Sequence, residues 1–417
     1  MRLLRILYSI AIEAYTLLLR IASFFHPKAQ KIVQGRAQTL SIIKSNMALH
    51  NHTPLYWFHC ASLGEFEQAL PVIEQLQKNI ANARIAVSFF SPSGYEHASK
   101  YPQINMAFYL PQDRPGRMQE LFETLKPKAL IVVKYELWYY LIQTAKAKRV
   151  PVIWLSAKLH KKGVMLPAIR SFYLNIIAHF DLVFAQDSLT YNILKPHVKS
   201  SSLFQISDTR INRVQHLAQT PFTDRILEDF TSHYPQICML GSSWKPEEDL
   251  ILNALQSREW GHFAVAIAPH NINRAQDILL RFADFNPLLY SEYNNASEKQ
   301  KKDCKVLVIN TVGKLSKLYR YAFCAWVGGG FSNALHNIFE PAVYGIPVFW
   351  GPYTPKFSET SLLINAGVGF SVANANEFIN TLSRIDTNQT RENSVSFFND
   401  SSGNIIAITQ HIQKITS

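Results

Sequence analysis

Cysteine is scarce in this chain of 417 residues, and its four cysteines are scattered through apolar or strand-like stretches (Cys60, Cys238, Cys304 and Cys324). This spacing argues against a disulfide framework and against a cysteine-based metal site, and it suits a reducing compartment. Low-complexity segments are absent as well. The composition, 47% hydrophobic and 17% charged, is that of a globular protein, and the length predicts about two domains.

Acidic residues are also in short supply, since 30 of them face 42 lysines and arginines, for a formal net charge of +12. A surplus of this size predicts an acidic partner: nucleic acid, anionic lipid or a phosphorylated substrate. A nucleic-acid binder would show basic residues clustered with aromatic ones along one element, and no such stripe dominates here. We therefore expect no nucleic acid among the partners.

The N-terminal segment contains no membrane-spanning stretch that is free of charged residues. Leu3–Phe25 is mostly apolar, but polar residues recur at steps of four, four, three and four, on one narrow helical stripe (Arg5, Ser9, Glu13, Thr16 and Arg20). A mid-segment glutamate is costly in lipid, and no small-residue cleavage site follows Phe25. We predict a membrane-associated segment over residues 1–45, held on an anionic surface through residues 1–25. The alternative is a helix docked on the protein's own core.

Apolar runs alternate with helical stretches and no hairpin signals separate them, so we predict parallel, doubly wound α/β sheets. A first domain over residues 46–215 should contain strands at Tyr56–Ala61, Ile85–Phe90, Ala129–Lys134, Val150–Ser156 and Leu182–Ala185, closed by Ile206–Arg210. A polar helical connection at Val214–His233 leads into a second domain, residues 216–417, whose last helix is a candidate to pack back on the first. Its strands are predicted at Ile237–Leu240, Phe263–Ala268, Lys305–Ile309, Ala325–Val327 and Gly345–Trp350.

Two glutamates, Glu65 and Glu136, lie at the predicted carboxyl ends of strands, where ligands collect in such sheets. At a helix N-terminus the dipole keeps a carboxylate ionised and ready to accept a proton, which makes Glu65 a candidate general base. A competing interpretation is a capping box with Ser62, in which Glu65 only satisfies free N–H groups of the first turn. For Glu136 the competing interpretation is a solvated helix start.

Several strand-to-helix turns of the second half are rich in glycine, serine, lysine and histidine: Gly241-Ser242-Ser243, Pro269-His270, Val312-Gly313-Lys314 and Gly328-Gly329-Gly330. Such turns suit a phosphate-bearing nucleotide, because backbone N–H groups at a helix N-terminus face anions well. Glu340 is a candidate acceptor for ribose hydroxyls. No turn is a Walker-type or GxGxxG loop, and an ordinary crossover with core histidines at His270 and His336 is the alternative.

Taken together, the motifs resemble those of the Kdo transferases of lipopolysaccharide synthesis, which move 3-deoxy-D-manno-octulosonic acid (Kdo) from CMP-Kdo to a lipid A precursor. The matching residues follow the family's order along nearly the whole chain. They are Ser62-Leu63-Gly64-Glu65, Ser91-Pro92-Ser93-Gly94, Tyr135-Glu136-Leu137-Trp138, Gly241-Ser242-Ser243, Pro269-His270, Val312-Gly313, Gly328-Gly329, the stretch from His336 to Ala342, and Gly351-Pro352.

The resemblance implies a B-type glycosyltransferase fold, with two Rossmann-like domains facing a cleft and CMP held mainly by the second. It implies that Glu65 is the general base in a metal-independent inverting reaction, and no cofactor is expected. Glu136 is a second catalytic candidate because of its place at a strand end. The resemblance also implies localisation at the cytoplasmic face of the bacterial inner membrane. The residues expected to contact the substrates are Ser242, Ser243, Pro269, His270, Val312, Gly313, Lys314, Gly328, Gly329, Asn337, Ile338, Phe339 and Glu340, with Arg210 and Lys158 as further cationic candidates.

Two other classes of protein stay open. One is a different enzyme on the same architecture, such as a nucleotide-sugar epimerase or another glycosyltransferase. The other is a basic, non-enzymatic protein that binds anionic lipid or nucleic acid. In the family the Pro-His turn usually contains an arginine, a glutamate usually occupies the position of Lys314, and a polar residue that of Trp244. These departures concern individual contacts with CMP.

Overall fold

The computed structural model describes residues 2–48, 53–159, 167–401 and 404–417. The chain divides into two compact units, residues 1–213 with 403–417, and residues 214–402. Within the described residues each unit contains one seven-stranded sheet, and all paired strands run parallel. The predicted parallel α/β architecture is therefore confirmed.

The sheet of the first unit has the strand order β3-β2-β1-β4-β5-β6-β7, so β1 and β4 lie at its centre. Its strands are β1 (Leu55–Cys60), β2 (Arg84–Phe89), β3 (Met106–Tyr109), β4 (Ala129–Val133), β5 (Val152–Ala157), β6 (Leu182–Ala185) and β7 (Leu203–Gln205). The helices are α1 (Arg2–Ala22), α2 (Pro27–Ala48), α3 (Leu63–Asn79), α4 (Pro92–Ala98), α5 (Pro115–Leu125), α6 (Tyr139–Ala147), α7 (Pro167–Ile177), α8 (Ser188–Leu194) and α9 (Arg210–Gln219).

The second unit has the strand order β10-β11-β9-β8-β12-β13-β14. Its strands are β8 (Ile237–Ser243), β9 (Ala264–Pro269), β10 (Leu288–Leu289), β11 (Val306–Val308), β12 (Cys324–Val327), β13 (Val348–Trp350) and β14 (Gly369–Ser371). The helices are α10 (Arg225–His233), α11 (Lys245–Gln256), α12 (Ala275–Arg281), α13 (Glu298–Asp303), α14 (Leu315–Leu318), α15 (Phe339–Ala342), α16 (Ser358–Asn365), α17 (Ala375–Arg384) and α18 (Thr387–Ser401). The last helix, α19 (Asn404–Thr416), packs against α3 of the first unit.

The central strands are near-continuous apolar runs because helices cover both faces of each sheet. In β1, Trp57 points into the hydrophobic core on one face of the sheet and Phe58 into the core on the other, and both are fully buried. Trp326 of β12 is likewise fully buried in the second unit. A strand buried on both faces ends in a turn at the sheet edge, which is where its polar residues emerge.

The prediction that Ile206–Arg210 closes the first sheet is wrong. The closing strand is β7, just upstream, and Arg210 already begins α9. The buried Asp208 carboxylate accepts hydrogen bonds from the backbone N–H of Arg210 and from Gln186 Nε2. These side-chain contacts replace strand pairing. The polar helical connection predicted around Val214–His233 consists of two helices, α9 and α10.

Helix α1 packs on the rest of the first unit through a mixed face of Leu4, Tyr8, Ser9, Ile12, Thr16 and Leu19, and it leaves most of its large apolar residues exposed. Ser9 Oγ lies 2.7 Å from Tyr140 Oη, the Glu13 carboxylate pairs with Arg114, and the Tyr8 hydroxyl donates to Asp113 Oδ2. The large side chains on the opposite side are exposed: Leu3, Ile6, Leu7, Ile10, Leu17, Leu18, Ile21, Phe24 and Phe25. Arg5 and Arg20 of the predicted polar stripe are exposed as well, so α1 presents both basic and large apolar side chains at the surface.

Among the described residues no single helix is long and apolar enough to cross a membrane, although α1 and α2 together, bent by 119°, have the length and composition of a broken span. Helix α2 buries Ala29, Ile32, Thr39 and Ile43 in the first unit.

Candidate functional site

Glu65 lies in the first turn of α3, directly after the carboxyl end of β1. Its Oε2 accepts hydrogen bonds from the backbone N–H groups of Ala61 and Ser62, the latter at 3.1 Å, so the glutamate half of the capping box is formed. The side chain is only 6% exposed. Burial, reinforced by the negative charge of Glu136, raises the pKa of Glu65 to about 8, against the opposing effect of these two donors and of Lys134.

Glu136 lies after β4 and shares the electrostatic environment of Glu65. Its Oε2 accepts a hydrogen bond of 2.6 Å from Trp138 Nε1 and lies 3.4 Å from His59 Nε2. Burial alone would raise the pKa of Glu136, but the contacts with His59 and Trp138 outweigh it and lower that pKa. Two neighbouring carboxyl groups with pKa values shifted in opposite directions are a common basis for separate acid and base roles.

His59 and Lys134 complete this group, and the sequence analysis did not select either of them. His59 is fully buried in β1, with Nδ1 2.9 Å from Ser88 Oγ. Lys134 follows β4 with a positive φ of 66°, and its charge lowers the pKa of Glu65. The position of His59, one residue before the end of a buried strand, could have identified it from the sequence. Nothing in the sequence indicated the left-handed backbone of Lys134.

The structure places the two further cationic candidates, Arg210 and Lys158, in the first unit. Arg210 donates hydrogen bonds to the Asp208 carboxylate from Nε, at 3.1 Å, and from Nη2, at 2.6 Å. Burial would raise the pKa of Asp208, but the Arg210 charge outweighs burial and lowers it. Lys158 is buried directly after β5. Arg210 thus has a structural ion pair in addition to its predicted role.

In the second unit the ends of β8 and β12 approach each other so closely that only glycine fits. A Cβ on Gly328 would lie 2.1 Å from the carbonyl oxygen of Ser242, and one on Gly329 would lie 2.2 Å from that of Ala334. Gly329 also has φ +91°, which disfavours other residues. Gly328 N–H donates to Gly241 O at 2.9 Å. These glycines bring two of the predicted turns together.

A buried glutamate, Glu247 of α11, accepts hydrogen bonds from backbone N–H groups of this glycine turn and of the turn before α11. Its Oε1 accepts from Gly329 N–H at 2.9 Å, and its Oε2 accepts from Trp244 N–H at 3.1 Å. Burial raises the pKa of Glu247. An anion at Gly329 would therefore have to displace Glu247, and the glycines serve close backbone packing. The sequence analysis named the turn before α11 but not this glutamate.

Three aromatic rings from different turns lie together at the same edge of the second sheet. The Trp244 and His270 rings are stacked with centroids 4.2 Å apart, and the His270 and His336 rings are 4.8 Å apart and tilted by 43°. Burial and the nearby His270 lower the pKa of His336 to about 4, so His336 is neutral at pH 7. The backbone adds a further link, because His270 N–H donates to Ser243 O at 3.0 Å. Ser242, Ser243, Pro269 and His270 are thus neighbours.

The turn after β11 contributes Val312, Gly313 and Lys314. Val312 is 78% exposed and Gly313 has φ +86°, as an open turn allows. Lys314 Nζ donates to Tyr290 Oη at 2.8 Å and lies 3.6 Å from the Asp224 carboxylate. The Asp224 carboxylate therefore partly neutralises the positive charge of Lys314.

The stretch from Asn337 to Glu340 contains two kinds of residue. Ile338 and Phe339 are fully buried and belong to the packed interior of the unit. Asn337 Oδ1 accepts from Phe339 N–H at 3.2 Å, and Asn337 Nδ2 donates to Glu340 Oε1 at 3.4 Å. The polar pair of this stretch is therefore the part suited to a ligand. No three His, Cys, Asp or Glu side chains in the described parts of the chain group as ligands for a metal ion.

Solved structures of nucleotide-sugar enzymes share this architecture. A UDP-GlcNAc 2-epimerase from Methanocaldococcus jannaschii superimposes with a TM-score of 0.57 over 86% of this chain and 99% of its own, at 16% identity. A glycosyltransferase from Rickettsia africae gives a TM-score of 0.56 over 87% and 99%, at 12% identity. These similarities show the fold, which is the B-type glycosyltransferase fold.

Residues 34–212 match the family model described as 3-deoxy-D-manno-octulosonic-acid transferase (kdotransferase). A Kdo transferase from Aquifex aeolicus is 28% identical over 81% of this chain and 88% of its own, and one from Haemophilus influenzae is 23% identical over 73% and 72%. The chain is therefore similar to Kdo transferases, both over the residues that the model matches and over most of its length in these two relatives.

Proposed function

We propose that this protein transfers Kdo from CMP-Kdo to a lipid A precursor, lipid IVA, with inversion at the anomeric carbon and Glu65 as general base. One observation carries the proposal. Glu65 is a buried carboxyl group at the carboxyl end of β1, beside the oppositely shifted Glu136, within the segment that matches the Kdo transferase model. Such an edge of a parallel sheet is where substrates bind.

A sugar hydroxyl is a poor nucleophile until a positioned base takes its proton. In the proposed step the ionised Glu65 accepts that proton while the hydroxyl oxygen bonds to the anomeric carbon of Kdo. The bond from this carbon to the phosphate oxygen breaks, and CMP leaves with its electron pair. The negative charge of Glu136 strengthens the base by raising the pKa of Glu65. His59 supports this effect because it favours the ionised form of Glu136.

For the donor we propose the sheet edge of the second unit. Gly328 and Gly329 let two turns meet, and the stacked Trp244 and His270 rings offer a flat aromatic surface next to them. Lys314 would supply positive charge for the departing CMP phosphate, and Glu340 would accept hydrogen bonds from ribose hydroxyls. No metal or cofactor takes part in the proposed reaction.

We also propose that α1 holds the enzyme on the anionic cytoplasmic face of the bacterial inner membrane. The exposed face of α1 supports this, because large apolar side chains remain uncovered along the helix and just after it, among them Leu18 at 65% and Phe25 at 85%. Basic residues flank these side chains, as is usual for a helix lying in a lipid interface.

The test is to incubate the purified protein with CMP-Kdo and lipid IVA and to weigh the lipid product by mass spectrometry. Glu65→Ala should still bind CMP, seen as a raised melting temperature, but should form no product. Glu74→Ala, on the same helix and partly exposed, is the matched control and should stay active. Full transfer by Glu65→Ala would reduce Glu65 to a helix cap.

A nucleotide-sugar epimerase is the second candidate, because solved epimerases share the fold. Fold similarity at this level of identity does not choose between the two activities. Melting curves with CMP and with UDP discriminate them. Stabilisation by CMP alone supports Kdo transfer, whereas stabilisation by UDP alone, with conversion of a UDP-sugar, supports the epimerase.

A further inference from the structure

A cavity of about 290 Å³ lies where α1 meets α2 and the loop before α5. Three arginines line it, namely Arg20, Arg36 and Arg117, together with aliphatic side chains such as Leu19 and Leu40. The three arginines belong to three different helices. We call this cavity the arginine pocket.

The arginine pocket contains more positive charge than its surroundings neutralise. Within the described residues neither Arg20 nor Arg36 forms an ion pair, and Arg117 has only a long contact of 3.6 Å with the exposed Glu120. Glu13, the acid of α1, is already paired with Arg114. A cluster of guanidinium groups without a carboxylate favours an incoming anion.

Of the three arginines, Arg36 would be stabilised most by a bound anion. Its Nε is buried and has no hydrogen-bond partner in the described structure, and its guanidinium group lies 5.0 Å above the Phe90 ring. Burial lowers the pKa of Arg36. A desolvated cation without a counter-ion is unfavourable, and an anion that also accepts hydrogen bonds would relieve it.

The position of the pocket indicates which anion it takes. On one side it adjoins the exposed apolar side chains of α1. On the other side Phe90 stacks on Trp138 at 6.2 Å, and Trp138 donates to Glu136. Two stacked rings therefore connect Arg36 with the carboxylates of the candidate site. A ligand with a phosphate, a sugar and acyl chains would fit this sequence of surfaces.

We propose that the arginine pocket binds a phosphate group of the lipid acceptor. Guanidinium groups bind phosphate oxygens in pairs, and three of them suit a doubly charged phosphate monoester. The acyl chains would lie along α1, and the phosphate would hold the acceptor sugar in register with Glu65. The proposal rests on the proposed function, whose substrate it describes in more detail.

The test compares Arg36→Met with wild type in detergent micelles, using lipid IVA and the same lipid treated with phosphatase. Methionine keeps an unbranched, flexible apolar side chain at this position while removing the guanidinium group and its charge. We expect KM for the phosphorylated lipid to rise about 10- to 100-fold, with kcat and KM for CMP-Kdo unchanged. With the dephosphorylated lipid, wild type and variant should have the same KM.

Two further variants keep the result interpretable. Arg20→Met changes an exposed side chain of the same pocket, so it tests the site without disturbing packing, and it should raise the same KM severalfold. Arg5→Met removes one positive charge from α1 away from the pocket and should change nothing. An equal effect of Arg5→Met and Arg36→Met would show that only overall charge matters and would overturn the proposal.

Other outcomes would also overturn it. If Arg36→Met raises KM equally for both lipids, the pocket does not read the phosphate. If it weakens only sedimentation with phosphatidylglycerol vesicles, the occupant is bulk membrane lipid. Equilibrium binding of both lipids without donor separates this proposal from the reaction itself. Suppose that wild type binds the phosphorylated lipid more tightly, that Arg36→Met does not, and that wild type nevertheless transfers no Kdo. This result would refute the proposed reaction and support the proposed phosphate site.

Discussion

The pKa of Glu65 makes a direct prediction about stability, tested with Glu65→Gln. The folded-state value of about 8 exceeds the ordinary value of 4.5, so folding favours the protonated form. The stabilisation from burying neutral Glu65 is complete below about pH 4.5 and is lost as the pH rises towards 8. At about 1.4 kcal/mol per pH unit, this shift corresponds to at most about 5 kcal/mol. Water penetration and relaxation reduce such penalties, so we expect about 2–3 kcal/mol.

Glutamine resembles the protonated carboxyl group and keeps an oxygen for the N–H groups of Ala61 and Ser62. We therefore expect Glu65→Gln and wild type to be about equally stable at pH 5, and the variant to be the more stable one at pH 9. The assay is urea unfolding followed by tryptophan fluorescence at pH 5, 6, 7, 8 and 9, comparing midpoints and slopes. Glu74→Gln is the control and should show no difference that grows with pH.

Equal stability of Glu65→Gln and wild type across this pH range would refute the reasoning. It would mean that Glu65 ionises in the folded protein without a penalty, as a solvated helix cap does. The variant should also lack transfer activity at every pH. A gain in stability together with a loss of activity is the signature expected of a buried group kept for chemistry.

Three further predictions concern other parts of the site. His59→Gln removes the group that favours ionised Glu136, so the pKa of Glu65 should fall and Glu65 should become a weaker base. We expect kcat/KM to fall about tenfold, and the rising limb of its pH profile, near pH 8 in wild type, to move to lower pH. An unchanged pH profile would contradict this. Gly328→Ala would force a methyl group against the β8 turn, so the second unit should lose about 2–4 kcal/mol in urea unfolding, and normal stability would show that the turn can open. Lys314→Met should weaken CMP binding about tenfold in calorimetric titration, and an unchanged Kd would remove it from the donor site.

Much of the fold followed from local pattern. Apolar runs separated by helices, without hairpin signals, predict parallel sheets, since only crossover connections join such strands. The same rule predicted that Glu65 and Glu136 would follow strands, and they lie after β1 and β4. The strand predicted over Ile206–Arg210 was wrong because Asp208 and its neighbours satisfy the backbone through side chains.

The tertiary structure alone decided how these residues combine. The opposite pKa shifts of Glu65 and Glu136 depend on how close the side chains of Lys134 and His59 come to them. His59 lies in β1 and Lys134 follows β4, and no local pattern encodes such distances. The sequence by itself determined a polar stripe and an apolar face on α1. Only packing decided that α1 contacts the protein through a mixed face that includes Tyr8 and Ser9 while an apolar face remains exposed, because that orientation depends on the side chains that α1 meets, such as Asp113 and Tyr140.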